Sequence, residues 1–288
     1  MPLSSASIFT VAQLLEQAGQ RLCAIHCDHP RQEARLLLAH VTGWTQEDIL
    51  RGDGCLSKAQ QTSYEQAIAR REAREPLSHI LGKKPFWALD FSVNCHTLTP
   101  RSDSETLIDA VLCRLSDSSS ATKILDLGTG TGCLLLTLLD QLPEAVGVGV
   151  DFSPEAIKVA QHNAVQCGLE DRASFLQSNW TEKITESFDI VISNPPYIET
   201  NAIAGLMPEV RDYEPHLALD GGEDGLDAYR TILADLPEVL ADGAAIYFEH
   251  GAGQADPLSA LAKKYGFSEI ARYRDVPGIE RVLELALS

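Results

Sequence analysis

Ser193, Asn194, Pro195, Pro196 and Tyr197 form the stretch best equipped to grip a flat polar group. Asn194 offers an acceptor and two donors, Tyr197 an aromatic face, and neither proline has a backbone N–H to lend to a sheet ladder. The run before them, Phe188, Asp189, Ile190, Val191 and Ile192, is apolar enough for a buried strand of a parallel sheet. Strand pairing must then stop at the prolines, with the carbonyls turned outward. The carboxyl end of such a strand is where open α/β sheets bind ligands, and this clamp suits a planar, amide-like NH2 group. The alternative is a Pro-Pro turn that merely leaves a core strand.

A second stretch runs from Asp126 and Leu127 into Gly128, Thr129, Gly130, Thr131 and Gly132, between an expected strand and its helix. Glycines there permit a tight turn and close approach of a ligand to the backbone. The spacing is G-x-G-x-G and not the G-x-G-x-x-G of dinucleotide enzymes, which disfavours a pyrophosphate and a nicotinamide oxidoreductase. A nucleoside without phosphate fits better. Asp151, at the end of the next strand, is placed to accept from two ribose hydroxyls, and Ser178, Asn179 and Trp180 can flank an adenine. These three features, each after its own strand and followed by Asn194, point to S-adenosylmethionine.

The elements that must carry these residues are legible from periodicity. Val11, Leu14, Leu15, Ala18 and Leu22 repeat at helical spacing, as do Ala34, Leu37, Leu38 and Val41. A third helix is expected over 58–74, capped by Ser57, with Arg70, Arg71 and Arg74 at the end that favours cations. Residues 1–75 are thus expected to form a helical bundle, 76–98 a hairpin linker built on Phe86, Leu89, Phe91 and Val93, and 99–288 the main domain. A Ser or Asp in 102–104 would cap the next helix, leaving Arg101 and Glu105 as polar candidates near the site. Residues 116–122 read as a surface loop. Strands are expected at 123–127, 146–150, 173–177, 188–193, 244–249, 268–273 and 281–287. Helices fall at 133–141, 154–167, 226–240 and 256–265, and a long connection at 198–224. That alternation is a doubly wound α/β sheet of seven strands.

At 288 residues, 44% hydrophobic and 22% charged, the chain has the composition of an ordinary globular protein. No apolar run reaches the length of a membrane span and residues 1–30 lack the pattern of a signal peptide, so a cytoplasmic location is expected. Seven cysteines without a CxxC pair fit reduced thiols. Cys23, His26, Cys27 and His29 lie close together but match no zinc spacing, so no metal is expected. Residues 1–90 balance ten Lys or Arg against ten Asp or Glu, whereas residues 91–288 carry 13 against 31 and account for the whole net charge of −18. An acidic main domain is ill suited to a phosphate backbone.

The whole chain resembles the release factor glutamine methyltransferases, the HemK or PrmC family. The resemblance rests on the Asp126 to Gly132 turn, Gly149-Val150-Asp151, Asn163-Ala164, the SNPPYI of residues 193–198, Tyr213-Glu214-Pro215 with Ala218-Leu219, Gly225-Leu226-Asp227-Ala228-Tyr229 and Gly278-Ile279-Glu280-Arg281-Val282. Two places depart from the family's pattern: PRSDSE stands at 100–105 where PRPETE is usual, and Glu249-His250-Gly251 replaces Glu, an apolar residue and Gly. The resemblance implies a class I, Rossmann-like methyltransferase domain behind a small helical domain. It also implies methyl transfer to the side-chain nitrogen of the Gly-Gly-Gln glutamine in bacterial peptide-chain release factors, by a monomer that grips its substrate protein across both domains. Asn194 and the Pro195 carbonyl would then accept the two amide hydrogens, with Pro196 and Tyr197 completing the substrate pocket. The rivals are an N6-adenine methyltransferase of nucleic acid, which presents the same planar NH2, and a non-catalytic module that binds the cofactor.

Overall fold

The computed structural model describes residues 10–115 and 122–288. The expected surface loop lies outside the described residues apart from Thr122, which is buried. The chain divides into two compact units, Met1–Gly82 and Lys83–Ser288.

In the first unit, α1 (Val11–Ala24), α2 (Pro30–Thr42), α3 (Gln46–Arg51), α4 (Lys58–Glu72) and α5 (Leu77–Leu81) enclose a core that includes Leu22, Leu37, Leu38, Ile49, Ile68 and Ile80. Ser57 caps α4 through a capping box with Gln60. The helix ends at Glu72 and not at residue 74, because Arg74 takes a left-handed φ of 69° and donates back to the Ile25 carbonyl. Arg71 is buried and its Nε donates to Glu33 at 2.6 Å, while Arg70 pairs with Glu75. These arginines therefore have partners inside the unit. Residues 77–81, expected to begin the linker, are helical as α5, and the hairpin belongs to the second unit.

That hairpin is β1 (Lys83–Phe86) paired antiparallel with β2 (Leu89–Ser92). A 3-10 turn at Ser102–Ser104 leads into α6 (Glu105–Leu115). The 3-10 turn begins after Arg101 with no side-chain cap bond, and Asp103 pairs with Arg281 at 2.8 Å. Then follow β3 (Lys123–Leu127), α7 (Cys133–Gln141), β4 (Val146–Asp151), α8 (Pro154–Cys167), β5 (Ala173–Gln177) and β6 (Phe188–Ser193). The long connection holds α9 (Pro208–Arg211) between 3-10 turns and leads to α10 (Asp227–Asp235). Where a helix was expected to residue 240, α10 stops at Asp235. A 3-10 turn, Leu236–Val239, then leads into β7 (Leu240–Glu249), so the apolar spacing runs on across a change of element. The chain finishes with α11 (Ala255–Lys264), β8 (Phe267–Arg274) and β9 (Glu280–Leu287).

The seven strands lie in the order β5-β4-β3-β6-β7-β9-β8, all parallel except β9, which is antiparallel to both its neighbours. Both faces are covered. Ile124, Ile190 and Ile192 point into a core with Leu107, Leu135 and Leu138, while Leu125 and Val191 point into the opposite core with Tyr229 and Leu258. This period of two explains the continuous apolar runs of β3 and β6. From β3 the chain winds outward through β4 to β5, then returns to β6 on the other side. The carboxyl ends of β3 and β6 therefore flank a topological switch point, where a crevice opens.

Candidate active site

The glycine turn leaves β3 at this crevice. Gly128 and Gly130 have φ of 76° and 55°, a region that disfavours residues with a Cβ. The Gly128 and Thr129 N–H groups both donate to the Val150 carbonyl, at 2.9 and 2.8 Å, which folds the turn over the end of β4. Asp151 completes the link: Oδ2 accepts from Gly130 N–H and Oδ1 from Ser153 N–H, both at 2.9 Å. Burial pushes the Asp151 carboxyl up, and the amides of Ser153, Gly130 and Phe152 pull it back. Each of its oxygens keeps a lone pair for another donor.

Under the turn lies Asp126, 1% exposed. Its Oδ2 accepts from Thr129 Oγ1 at 2.6 Å, whereas Oδ1 makes no hydrogen bond. Burial pushes this carboxyl up to about 7, with the Thr129 bond opposing and Asp151 adding to the rise. Asn163, fully buried on α8, ties the turn to the hairpin: Nδ2 donates to the Thr131 and Ser92 carbonyls at 2.9 and 3.1 Å, and Oδ1 accepts from Ser92 N–H at 2.8 Å.

The second stretch leaves β6 beside the turn, anchored by Ser193 Oγ donating to Leu127 O at 2.6 Å. Asn194 Nδ2 donates to Ser104 Oγ at 3.3 Å. Beyond the prolines, Ile198 N–H donates to Leu219 O and Gly221 N–H to Ile198 O, at 3.0 and 2.8 Å. Gln254 closes the clamp, with Nε2 donating to Tyr197 O at 2.9 Å and Oε1 accepting from Gly251 N–H at 2.8 Å. The clamp is thus held from four places in the chain.

A cavity of about 490 Å³ runs along these pieces. Of the expected cofactor residues, Gly128, Thr129, Gly130, Thr131, Asp151, Trp180 and Asn194 line it. The Trp180 ring lies against Gly128, where an added Cβ would stand 3.4 Å from it. Gly132 does not line the cavity; it starts α7 and packs near Leu136, Ala160 and Phe175. Pro196 and Arg101 line the cavity, whereas Pro195 and Tyr197 do not. The Tyr197 ring is turned to Gly251 and the second core, and burial pushes its hydroxyl up to about 12. Glu105 is also absent from the lining, because its Oε1 accepts from Trp87 N–H at 3.2 Å and steadies the hairpin turn.

Three contributors were not picked out as site residues from sequence. Glu214, buried, pairs at 2.6 Å with Arg101 of the lining; burial pushes its carboxyl up while Arg101 and Thr99 oppose. Ser104 and Gln254 act through bonds to residues far away in the chain, which no spacing reveals. The lining fits S-adenosylmethionine: the volume suits a small ligand, and the Trp180 ring and the Asp151 carboxylate, whose oxygens keep free lone pairs, flank it.

Residues 13–82 match the family model of the PrmC N-terminal domain, and residues 118–240 that of a methyltransferase domain. The release factor glutamine methyltransferase of Rhodospirillum rubrum is 42% identical over 278 residues, 96% of this chain and 85% of that protein. Its counterpart from Agrobacterium fabrum is 40% identical over 98% of this chain and 99% of its own. Among solved structures, the hMettl16 catalytic domain shares the fold at 16% identity and a TM-score of 0.57, covering 77% of this chain and 82% of that one. The chain belongs to the release factor glutamine methyltransferase family, as an S-adenosylmethionine-dependent protein-glutamine methyltransferase.

Proposed function

We propose that the substrate nitrogen is N5 of the glutamine in the Gly-Gly-Gln tripeptide of bacterial peptide-chain release factors, and that its methylation tunes translation termination. One observation carries this reading. Asn194 sits at the edge of the cavity with Nδ2 engaged by Ser104, which leaves Oδ1 as the free acceptor for an incoming N–H. Among the described residues no hydrogen bond uses the Pro195 carbonyl, a second acceptor one residue on. An open acceptor at the cavity edge suits an N–H of an amide NH2.

When bound, S-adenosylmethionine supplies an electrophilic sulfonium methyl. The glycine turn, Asp151 and Trp180 would hold its nucleoside, with Asp151 taking the ribose hydroxyls. An amide nitrogen is a poor nucleophile because its lone pair is delocalised, so the enzyme must aim that lone pair and exclude water. Asn194 Oδ1 and Pro195 O do this, and their bonds strengthen as positive charge grows on nitrogen. The proton becomes acidic only after transfer, so no general base is assigned. Pro196 forms the wall beside the amide, and Tyr197 stiffens the clamp from behind. The helical unit of residues 1–75 supplies docking contacts for the substrate protein.

The test is turnover of Asn194→Ala on a purified release factor. We expect a loss of about 10²-fold or more in kcat with cofactor affinity nearly unchanged. Wild-type turnover would remove Asn194 from the chemistry.

A further inference from the structure

Behind Asn194, on the side away from the cavity, stands a carboxyl group that the mechanism above does not use. Glu249 ends β7, next to the carboxyl end of β6, where Phe248 is in register with Ser193. It is 2% exposed and its Oε2 makes no hydrogen bond. Its backbone is fixed on both sides: the carbonyl accepts from the Tyr229 hydroxyl at 2.6 Å, and the residue pairs with Val282 of β9. The register of β6 and β7 puts Glu249 beside Asn194, and Ser104 and Asn194 are the polar side chains that hold its carboxyl down. A buried carboxylate is costly to retain unless it does something for its neighbours.

We propose that Glu249 is a positioning residue of the methyl-transfer site, its carboxylate drawing the Asn194 amide N–H inward so that Oδ1 faces the substrate nitrogen. The inference rests on the reading of Asn194 given above. An asparagine amide is nearly symmetric in shape, and flipped it would present N–H to the N–H of the substrate. Ser104 alone does not fix the orientation, because a hydroxyl can donate as readily as accept. An ionised carboxylate only accepts, so it decides.

The geometry carries a pH signature. Burial pushes Glu249 up to about 7, with the Ser104 bond and Arg281 opposing, Asp103 adding and Asn194 opposing. Tyr197, Tyr229 and Cys133 also face it, and burial holds all three above their usual values, Tyr197 and Cys133 at about 12. None of those titrates near neutrality. Above pH 7 the ionised group only accepts and selects one orientation of Asn194; below it the protonated carboxyl can donate as well as accept, and that selection is lost. Turnover should therefore fall as pH falls through about 7. Asp126, pushed to a similar value, lies under the cofactor turn, so the profile is read at saturating cofactor.

The experiment measures kcat against pH, with the KM for release factor and the affinity for S-adenosylmethionine, in wild type, Glu249→Gln, Ser104→Ala and Asn194→Ala. Glu249→Gln is expected to lower kcat at pH 8 by about 10- to 100-fold, to leave KM and cofactor affinity within about twofold, and to abolish the acidic fall. Wild-type kcat and an unchanged profile in Glu249→Gln, with Asn194→Ala impaired, overturn this inference alone. Wild-type turnover in Asn194→Ala overturns it together with the reading beneath it. Should Glu249→Gln fail to bind cofactor, Ser104→Ala decides: losing the hydroxyl that holds the Glu249 carboxyl down should move the acidic fall to higher pH, and an unmoved profile overturns the inference.

Discussion

Replacing Gly221 by alanine should damage turnover far more than cofactor binding. A Cβ at this position would stand 2.8 Å from both Pro196 O and Tyr197 Cα, and 2.9 Å from Gly225 Cα. Comfortable contacts of this kind lie near 3.5 Å, so each overlap is roughly 0.5–1 Å. All three obstacles are backbone, and no rotamer change relieves them. Overpacking of this sort costs about 1–3 kcal/mol, and for a domain of this size each kcal/mol lowers Tm by about 2–4 °C. The expected loss in Tm is therefore about 2–12 °C. The part that must give is the strand-like contact between residues 196–200 and 219–222, which holds the clamp in place. A shift of about 1 Å at Asn194 is enough to cost roughly 10²-fold in kcat. Gly128, Asp151 and Trp180 belong to other loops, so the affinity for S-adenosylmethionine by calorimetry should stay within a few-fold. If Gly221→Ala kept wild-type kcat and Tm, the claim that this clamp is rigid and sterically determined would be wrong.

Other perturbations probe the surrounding structure. Asp126→Asn should melt above wild type at pH 8, because the folded protein must keep a carboxylate ionised whose pKa is raised to about 7. The unfolded value is lower, so the advantage should fade as pH falls through 7 towards 4, where both forms are neutral. Equal melting differences at pH 5 and pH 8 would contradict that. Asn163→Ala strands three backbone groups, and thermal melts should show a loss of about 2–4 kcal/mol together with weakened cofactor affinity. Arg101→Ala leaves the Glu214 carboxylate buried without its partner; because Arg101 is partly exposed, the expected cost is about 1–3 kcal/mol, below that of a fully buried pair. Restoration by the double change Arg101→Ala with Glu214→Gln, followed by denaturant midpoint, checks the cause.

The sheet was legible because each inner strand is a short apolar run ending in a turn signal, and each crossover helix shows its own period. The glycine turn, Asp151 and Asn194 followed from their places at strand ends. What periodicity could not supply was short or shared. α3 spans only six residues, too few for a period, and its one local signal is the capping box of Thr45 and Asp48. α5, of five residues, was taken into the alternation of the hairpin. The start of β7 was read as helix because Leu236, Val239 and Leu240 continue the spacing of α10. Glu105 looks available from the sequence as a carboxylate beside a motif, whereas in the fold its Oε1 accepts from Trp87 N–H. Ser104 and Glu249, brought to Asn194 by neighbouring strands and a 3-10 turn, depend on tertiary placement that spacing does not encode.

The central claim is the acceptor nitrogen. It is tested most directly by incubating the protein and S-adenosylmethionine with a release factor, and separately with an adenine-containing duplex, followed by intact mass and fragment mapping. The account predicts a single added methyl on the glutamine of Gly-Gly-Gln and none on the duplex. Methylation of adenine with an unmodified release factor would contradict it.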